Sequence, residues 1–367
     1  MKKFDIRVRL FAVLFALVFA FGIAACGGEE RENETPAELS AEEVNSFSEE
    51  FVNLYGRTYI KDGMLILDHA ATAIEFGIYG KSVQATLYSP RETYVCVFVD
   101  DDAESCRRID LKTTANRYSL FNGLDDGYHK IRIVKSSEAI DGETGVMQLF
   151  ADKFAAVPKK SDLKIEFIGD SITAGYGITG SKSSAKTLEN SDATLTYAYV
   201  AASKLGADYS VVAVSGICTK VVMYQRSMDD VYGKVSVHND EEYAFDFDPD
   251  VVVINLGGND ATYIREKDAS YAERFSAEYY EFLQFVREKN PNAYIVCIHG
   301  MMGADATILA GIRQAVSDMN DANDDRVVVF EDYTMNTSGS AGHPSFSAQE
   351  IWGETFAEYV KTLTAEN

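Results

Sequence analysis

Cysteine is scarce in this chain of 367 residues: there are five, with no C-x-x-C pair and no zinc-ligand spacing. That excludes a thiolate metal centre and a disulfide-dense scaffold. Histidine is equally scarce, so a catalytic imidazole must be His69, His129, His238, His299 or His343. Positive charge is short as well, with 34 Lys and Arg against 57 Asp and Glu and a formal charge of −23. Nucleic acid is therefore not an expected partner, nor is an anionic lipid surface bound through charge, because both need clustered basic residues; a neutral, polar substrate fits better. The apolar run Leu10–Ala25 falls short of the roughly 20 residues that span a bilayer.

That short run is nonetheless informative. Lys2, Lys3, Arg7 and Arg9 precede it, and small residues and Cys26 close it, which is the layout of a secretory signal. The ending "IAAC" resembles a bacterial lipobox, in which the cysteine is lipidated and becomes the mature N-terminus. The resemblance implies a lipoprotein signal peptide over 1–25 and a chain secreted and lipid-anchored to the bacterial cell envelope through Cys26. Residues 26–48 are rich in acid and poor in large apolar side chains, so they read as an acidic linker that does not fold alone. The remaining length suits two domains, expected at 49–158 and 159–367.

The two parts differ in rhythm. From about Tyr55 to Phe154, the runs "MLILD", "AIEFGIY", "SVQATLYS", "TYVCVFVD", "RYSLF" and "YHKIRIVKS" are divided by turns, the pattern of an all-β sandwich. Cys96 and Cys106 flank the hairpin-like "VFVDDDAES" and stand either as a cross-strand disulfide or as two half-buried thiols. After "AAVPKKSD", the runs "IEFI", "YSVVAV", "VVVINL", "AYIVCI" and "RVVVF" alternate with segments of helical period. Near-continuous Val and Ile runs suit strands buried on both faces, so a parallel α/β sheet is expected. A last helix is expected from a capping box at Ser347 and Glu350, burying Ile351, Trp352, Thr355, Phe356, Tyr359, Val360 and Leu363.

In such sheets the working groups gather at the carboxyl ends of the strands. Four stretches fall there. In "IGDSIT" a strand-to-helix turn exposes Ser171 and aims backbone N–H groups at whatever it attacks, although Asp170 and Ser171 also suit a plain helix cap. Gly216 follows "VAVS" and permits close backbone approach, so its N–H is a candidate oxyanion donor. "GGND" offers the Asn259 amide as a second donor and Asp260 as a tie for the loop. "GSAGHPSF" places His343 before the last helix, while His299, at the end of "AYIVCI", is a rival base.

The blocks "GDSIT", the later glycine, "GGND" and "HP", in that order, resemble those of the SGNH hydrolases, a flavodoxin-like esterase superfamily. With "LYGRT" and "GYHKIRIVK" ahead of them, the chain further resembles carbohydrate esterase family 2, acetyl esterases of plant polysaccharides with a jelly-roll domain before the hydrolase. The resemblance implies Ser171 as nucleophile, His343 as base and later acid, and an oxyanion hole from the Ser171 and Gly216 N–H groups and the Asn259 side chain. Asp170 and Asp260 would support loops. No metal or cofactor is implied, and the implied partner is an acetylated polysaccharide. One departure stands out: the superfamily places an acid two or three residues before the histidine, and here those positions are Ala341 and Ser340. A Ser-His dyad with a backbone carbonyl in place of the acid is the implied arrangement, with Glu331 and Asp332 as alternative orienting groups.

Overall fold

A computed structural model describes residues 42–365 apart from 158 and 225. The signal segment, Cys26 and most of the acidic linker lie outside the described residues. Among the described residues no helix is long and apolar enough to cross a membrane.

The first part is all β, as its alternating pattern requires. Its strands are β1 (Glu43–Val44), β2 (Asn53–Tyr55), β3 (Thr58–Lys61), β4 (Met64–Leu67), β5 (Ala73–Tyr88), β6 (Thr93–Val99), β7 (Asp102–Leu111), β8 (Asn116–Asn122), β9 (Tyr128–Lys135) and β10 (Thr144–Ala155). They form one antiparallel network in the order β3-β4-β10-β5-β9-β6-β7, with β1 on β10 and both β2 and β8 on β5. Two separate sheets were expected; the ladders are continuous because β5 serves both faces. Its first half, Ala73–Tyr79, pairs with β9 and its second half, Ser82–Leu87, pairs with β8, while on its other edge β2 takes Ala73–Glu75 and β10 takes Gly77–Tyr88 across two bulges. Inside lies a core that includes Ile74, Phe76, Val97, Ile133, Leu149 and Phe154.

Two local expectations need correction, and one open choice is decided. The linker does not end at residue 48, since β1 already pairs with β10 and buries Val44. Cys96 and Cys106 are free thiols, one buried and one exposed. Of the two alternatives it is the thiols that stand: Cys96 lies opposite Arg108 in the ladder, and its sulfur is 3.6 Å from the Asp192 carboxylate. The last helix begins at Phe346 with Ser345 as its N-cap, so Ser347 lies inside it, and Ile351 is exposed while Trp352, Phe356 and Val360 are buried.

The second part is the parallel sheet. Strands β11 (Lys164–Gly169), β12 (Asp208–Ala213), β15 (Val251–Asn255), β16 (Tyr294–Ile298) and β17 (Val327–Val329) stand in the order β12-β11-β15-β16-β17, every neighbouring pair parallel. A hairpin of β13 (Lys234–Ser236) and β14 (Asn239–Glu242) stands apart from it. The helices are α1 (Ser171–Ala174), α2 (Tyr197–Leu205), α3 (Met228–Tyr232), α4 (Gly258–Glu266), α5 (Tyr271–Lys289), α6 (Ala306–Asp321) and α7 (Phe346–Thr364). One face of the sheet packs Phe167 and Val253 against Tyr197, Trp352 and Phe356 of α2 and α7; the other packs Ile168, Val252 and Ile254 against Phe275, Phe282 and Ile312 of α5 and α6. Alternate residues of each strand serve opposite faces, which is why the runs are apolar throughout.

A buried ion pair joins the two parts. Arg57, between β2 and β3, reaches Glu166 of β11 at 3.2 Å, and both side chains are withdrawn from solvent. The guanidinium also donates to the carbonyls of Tyr232 and Lys234 and lies 3.9 Å from the centre of the Tyr243 ring.

Candidate active site

The carboxyl edge of the parallel sheet brings the four stretches together. At the end of β11, Asp170 caps the single turn α1 by accepting from the Ile172 N–H at 3.0 Å, and Ser171 is the first residue of that turn. A Cβ on Gly169 would fall 2.1 Å from Thr173 Oγ1, so the turn closes only around glycine. Ser171 Oγ lies 2.9 Å from His343 Nε2. The opposite nitrogen, Nδ1, faces the carbonyl oxygen of Ser340 at 3.2 Å. In the neutral ring this arrangement puts the proton on Nδ1, donated to Ser340, and leaves Nε2 free to accept from the serine hydroxyl.

Among the described residues no carboxylate bonds the imidazole. Glu331 is paired with Arg313 at 2.6 Å and Asp332 is exposed, so neither takes the position of the missing acid. The Ser340 carbonyl and the ring of Tyr176 hold the imidazole instead; Tyr176 stacks on His343 with centroids 4.2 Å apart and planes 28° apart. Burial pushes the His343 imidazole below its ordinary 6.5, opposed by the Ser340 carbonyl. A base acts in its unprotonated form, so a lowered value extends activity toward acid. The acid limb of the kcat/KM profile is therefore expected to have its midpoint below pH 6.5, and a midpoint above 7 would contradict this environment.

His299 is placed differently. Its Nδ1 faces the Leu256 carbonyl and its Nε2 accepts from the Asp305 N–H, both at 3.3 Å. It lines a neighbouring cavity, yet both ring nitrogens are engaged by backbone.

Gly216 follows β12 with φ +80°, and a Cβ there would come within 2.8 Å of the Tyr224 ring. With Ser171, Asn259 and His343 it lines a cavity of about 430 Å³, whose walls include Ile140, Tyr176, Ile217 and Tyr224. The Asn259 amide donates to the Ile217 carbonyl at 3.0 Å and to Asp170 Oδ2 at 3.2 Å, which ties α4 to the loops after β11 and β12. Asp260 is fully buried and accepts from the Thr219 N–H, the Thr219 hydroxyl and the Tyr271 hydroxyl. Burial pushes the Asp260 carboxyl up to about 6, and burial with the nearby Asp260 charge pushes Asp170 up to about 7. Among the described residues no cluster of His, Cys, Asp or Glu is placed to hold a metal ion.

Tyr176, Tyr224 and Ile140 were not singled out by the sequence. Tyr176 was findable, five residues past the serine in "GDSITAGYG". Ile140 was not, since it comes from the β region.

A parallel α/β sheet whose carboxyl edge sets a serine against an imidazole, beside an open cavity, has the parts of an acyl-transfer site built on a serine nucleophile. The chain belongs to the GDSL-like Lipase/Acylhydrolase family, whose model matches residues 167–364, and residues 54–159 match the Carbohydrate esterase 2 N-terminal family. It is 29% identical over 304 residues to Cellulase/esterase CelE of Acetivibrio thermocellus, an alignment covering 78% of this chain and 36% of CelE. An acetylxylan esterase / glucomannan deacetylase of Cellvibrio japonicus is 22% identical over 307 residues, covering 79% of this chain and 81% of that protein. Among solved structures, a family two carbohydrate esterase from Clostridium thermocellum in complex with cellohexaose has a TM-score of 0.78 at 27% identity, covering 86% of this chain and 99% of the other. This chain thus matches about a third of CelE's length, and nearly all of the solved esterase.

Proposed function

We propose that this protein is a lipid-anchored serine esterase that removes O-acetyl groups from polysaccharides, such as acetylated xylan or glucomannan, outside the cytoplasm. The observation that carries the chemistry is the 2.9 Å contact between Ser171 Oγ and His343 Nε2 at the mouth of the cavity. Ser171 attacks the acetyl carbonyl as His343 takes its proton. The tetrahedral oxyanion is held by the N–H groups of Ser171 and Gly216 and by the Asn259 amide, with one such donor worth roughly 3 kcal/mol. Both N–H groups of that amide already have acceptors, so the oxyanion replaces the longer contact, to Asp170. His343 then protonates the departing sugar oxygen, and water, activated by the same imidazole, cleaves the acetyl-enzyme.

The acetylated polysaccharide as substrate is supported by the names of the relatives and by the pairing of the hydrolase with a carbohydrate esterase N-terminal region. The lipid anchor rests on the "IAAC" sequence alone. We read the parallel domain as flavodoxin-like, because its strands, numbered within the sheet, run 2-1-3-4-5, and the β region as a jelly roll.

The test is acetate release from acetylated xylan and acetylated glucomannan by the chain beginning at residue 27. Release from at least one is expected. With 4-nitrophenyl esters, the deacetylase reading requires acetyl to exceed octanoyl in kcat/KM, expected by at least about 10-fold. A preference for octanoyl would replace the deacetylase reading with a lipase.

A further inference from the structure

The segment between β9 and β10 belongs to the β region but ends in the catalytic cavity. It is built to hold one shape. The ammonium of Lys135, fully buried, donates to the carbonyls of Ser137 and Glu138 at 3.0 and 2.9 Å, and the Ser136 carbonyl accepts from the Ala193 N–H of the hydrolase at 2.8 Å. From this base Ile140 reaches the cavity wall. The Glu138 side chain, 1% exposed, enters the hydrolase: Oε2 accepts from the Ser215 N–H at 3.3 Å, and Oε1 lies 3.1 Å from Lys186 Nζ.

Ser215 immediately precedes Gly216. Holding its N–H anchors the peptide on one side of the residue, so the direction of the Gly216 N–H depends only on the Ser215 dihedrals. The Tyr224 ring closes against Gly216 itself. Lys186 is also 2.6 Å from Asp141 and lies 5.8 Å from the centre of the Tyr176 ring, whose other contact is the stack on His343. A single buried carboxylate therefore adjoins both the oxyanion loop and the support of the base. Burying such a charge is costly unless it is paired and bonded; here Lys186 pairs one oxygen and the Ser215 N–H bonds the other, so the carboxylate holds the loop from inside.

We propose that Glu138 is a positioning residue supplied by the β region, which fixes the Val214–Ser215 peptide and, through Ser215, the aim of the Gly216 N–H at the oxyanion. This deepens the esterase reading and rests on it. Because Glu138 acts on a donor used mainly in the transition state, its loss should appear in kcat rather than KM.

The experiment compares E138A, E138Q and E138D in the full mature chain, with acetyl ester kinetics and with affinity for a small alkylboronic acid, which forms a tetrahedral anion on the serine. E138A is expected to lower kcat by about 10- to 100-fold with KM within about twofold, and to weaken boronate binding by a similar factor. E138Q is expected to recover most of kcat, since its amide oxygen still accepts from the Ser215 N–H. E138D keeps the charge but is one methylene short, and should resemble E138A. The Gln and Asp variants decide the matter even where the Ala variant does not fold. Asp near the parent with Gln impaired, a loss confined to KM, or full activity in E138A would each overturn the proposal while leaving the esterase reading intact. An inactive parent would sink both.

Discussion

Ser171→Ala is expected to lower acetate release by about 10⁴-fold or more while leaving the fold unchanged. Losses of this order are what removal of a nucleophile costs when oxyanion donors and substrate binding remain. The side chain is small, sits at a single-turn helix and bonds the His343 imidazole, so alanine leaves neither a large cavity nor a stranded buried charge. Acetate release with thermal unfolding measured alongside checks both halves. Activity within tenfold of the parent would mean that another oxygen attacks and that the serine at the end of β11 is only a helix-start residue.

His343→Ala should fall about as far, again by roughly 10⁴, and the double variant with Ser171→Ala should fall little further, because nucleophile and base act as one unit. The control is His299→Ala. That ring is also buried, but its nitrogens serve the Leu256 carbonyl and the Asp305 N–H. Its removal should cost about 1–3 kcal/mol of stability, the range for stranding buried polar groups, with kcat reduced by no more than a few fold. The reverse pattern, His299→Ala inactive and His343→Ala active, would overturn the assignment of the base.

Much of this site was legible because a parallel sheet imposes a simple rule. Five apolar runs had to be its strands, and their carboxyl ends had to share one edge, so "GDS", Gly216, "GGND" and His343 converged once the strands were placed. A backbone carbonyl in place of the missing acid was implied by the family resemblance, but residue types do not single out Ser340 as its source. The Tyr176 stack depends on the path of the loop after α1, and Glu138 and Ile140 depend on how the β region packs on the hydrolase. Local pattern carries no record of such contacts. The choice between disulfide and free thiols at Cys96 and Cys106 was not legible for a related reason: Cys96 faces Arg108, two residues from Cys106, and composition does not set register. The capping error at Ser347 is smaller in span: the helix starts two residues earlier, at an N-cap Ser345 whose side chain makes no capping bond.

The Arg57–Glu166 pair bears on how such a protein can be divided. The change of rhythm after "AAVPKKSD" invites cutting there, to keep the hydrolase as a catalytic cassette. Such a cassette would inherit Glu166 in the middle of its sheet without the guanidinium that neutralises it, and the carbonyls of Tyr232 and Lys234 without their donor. Breaking one side of a buried pair costs about 3–5 kcal/mol, a large part of what holds an ordinary domain together. The β region is thus less an appended module than a missing piece of the hydrolase's interior. A graft of this enzyme onto another scaffold should carry both parts as one indivisible block.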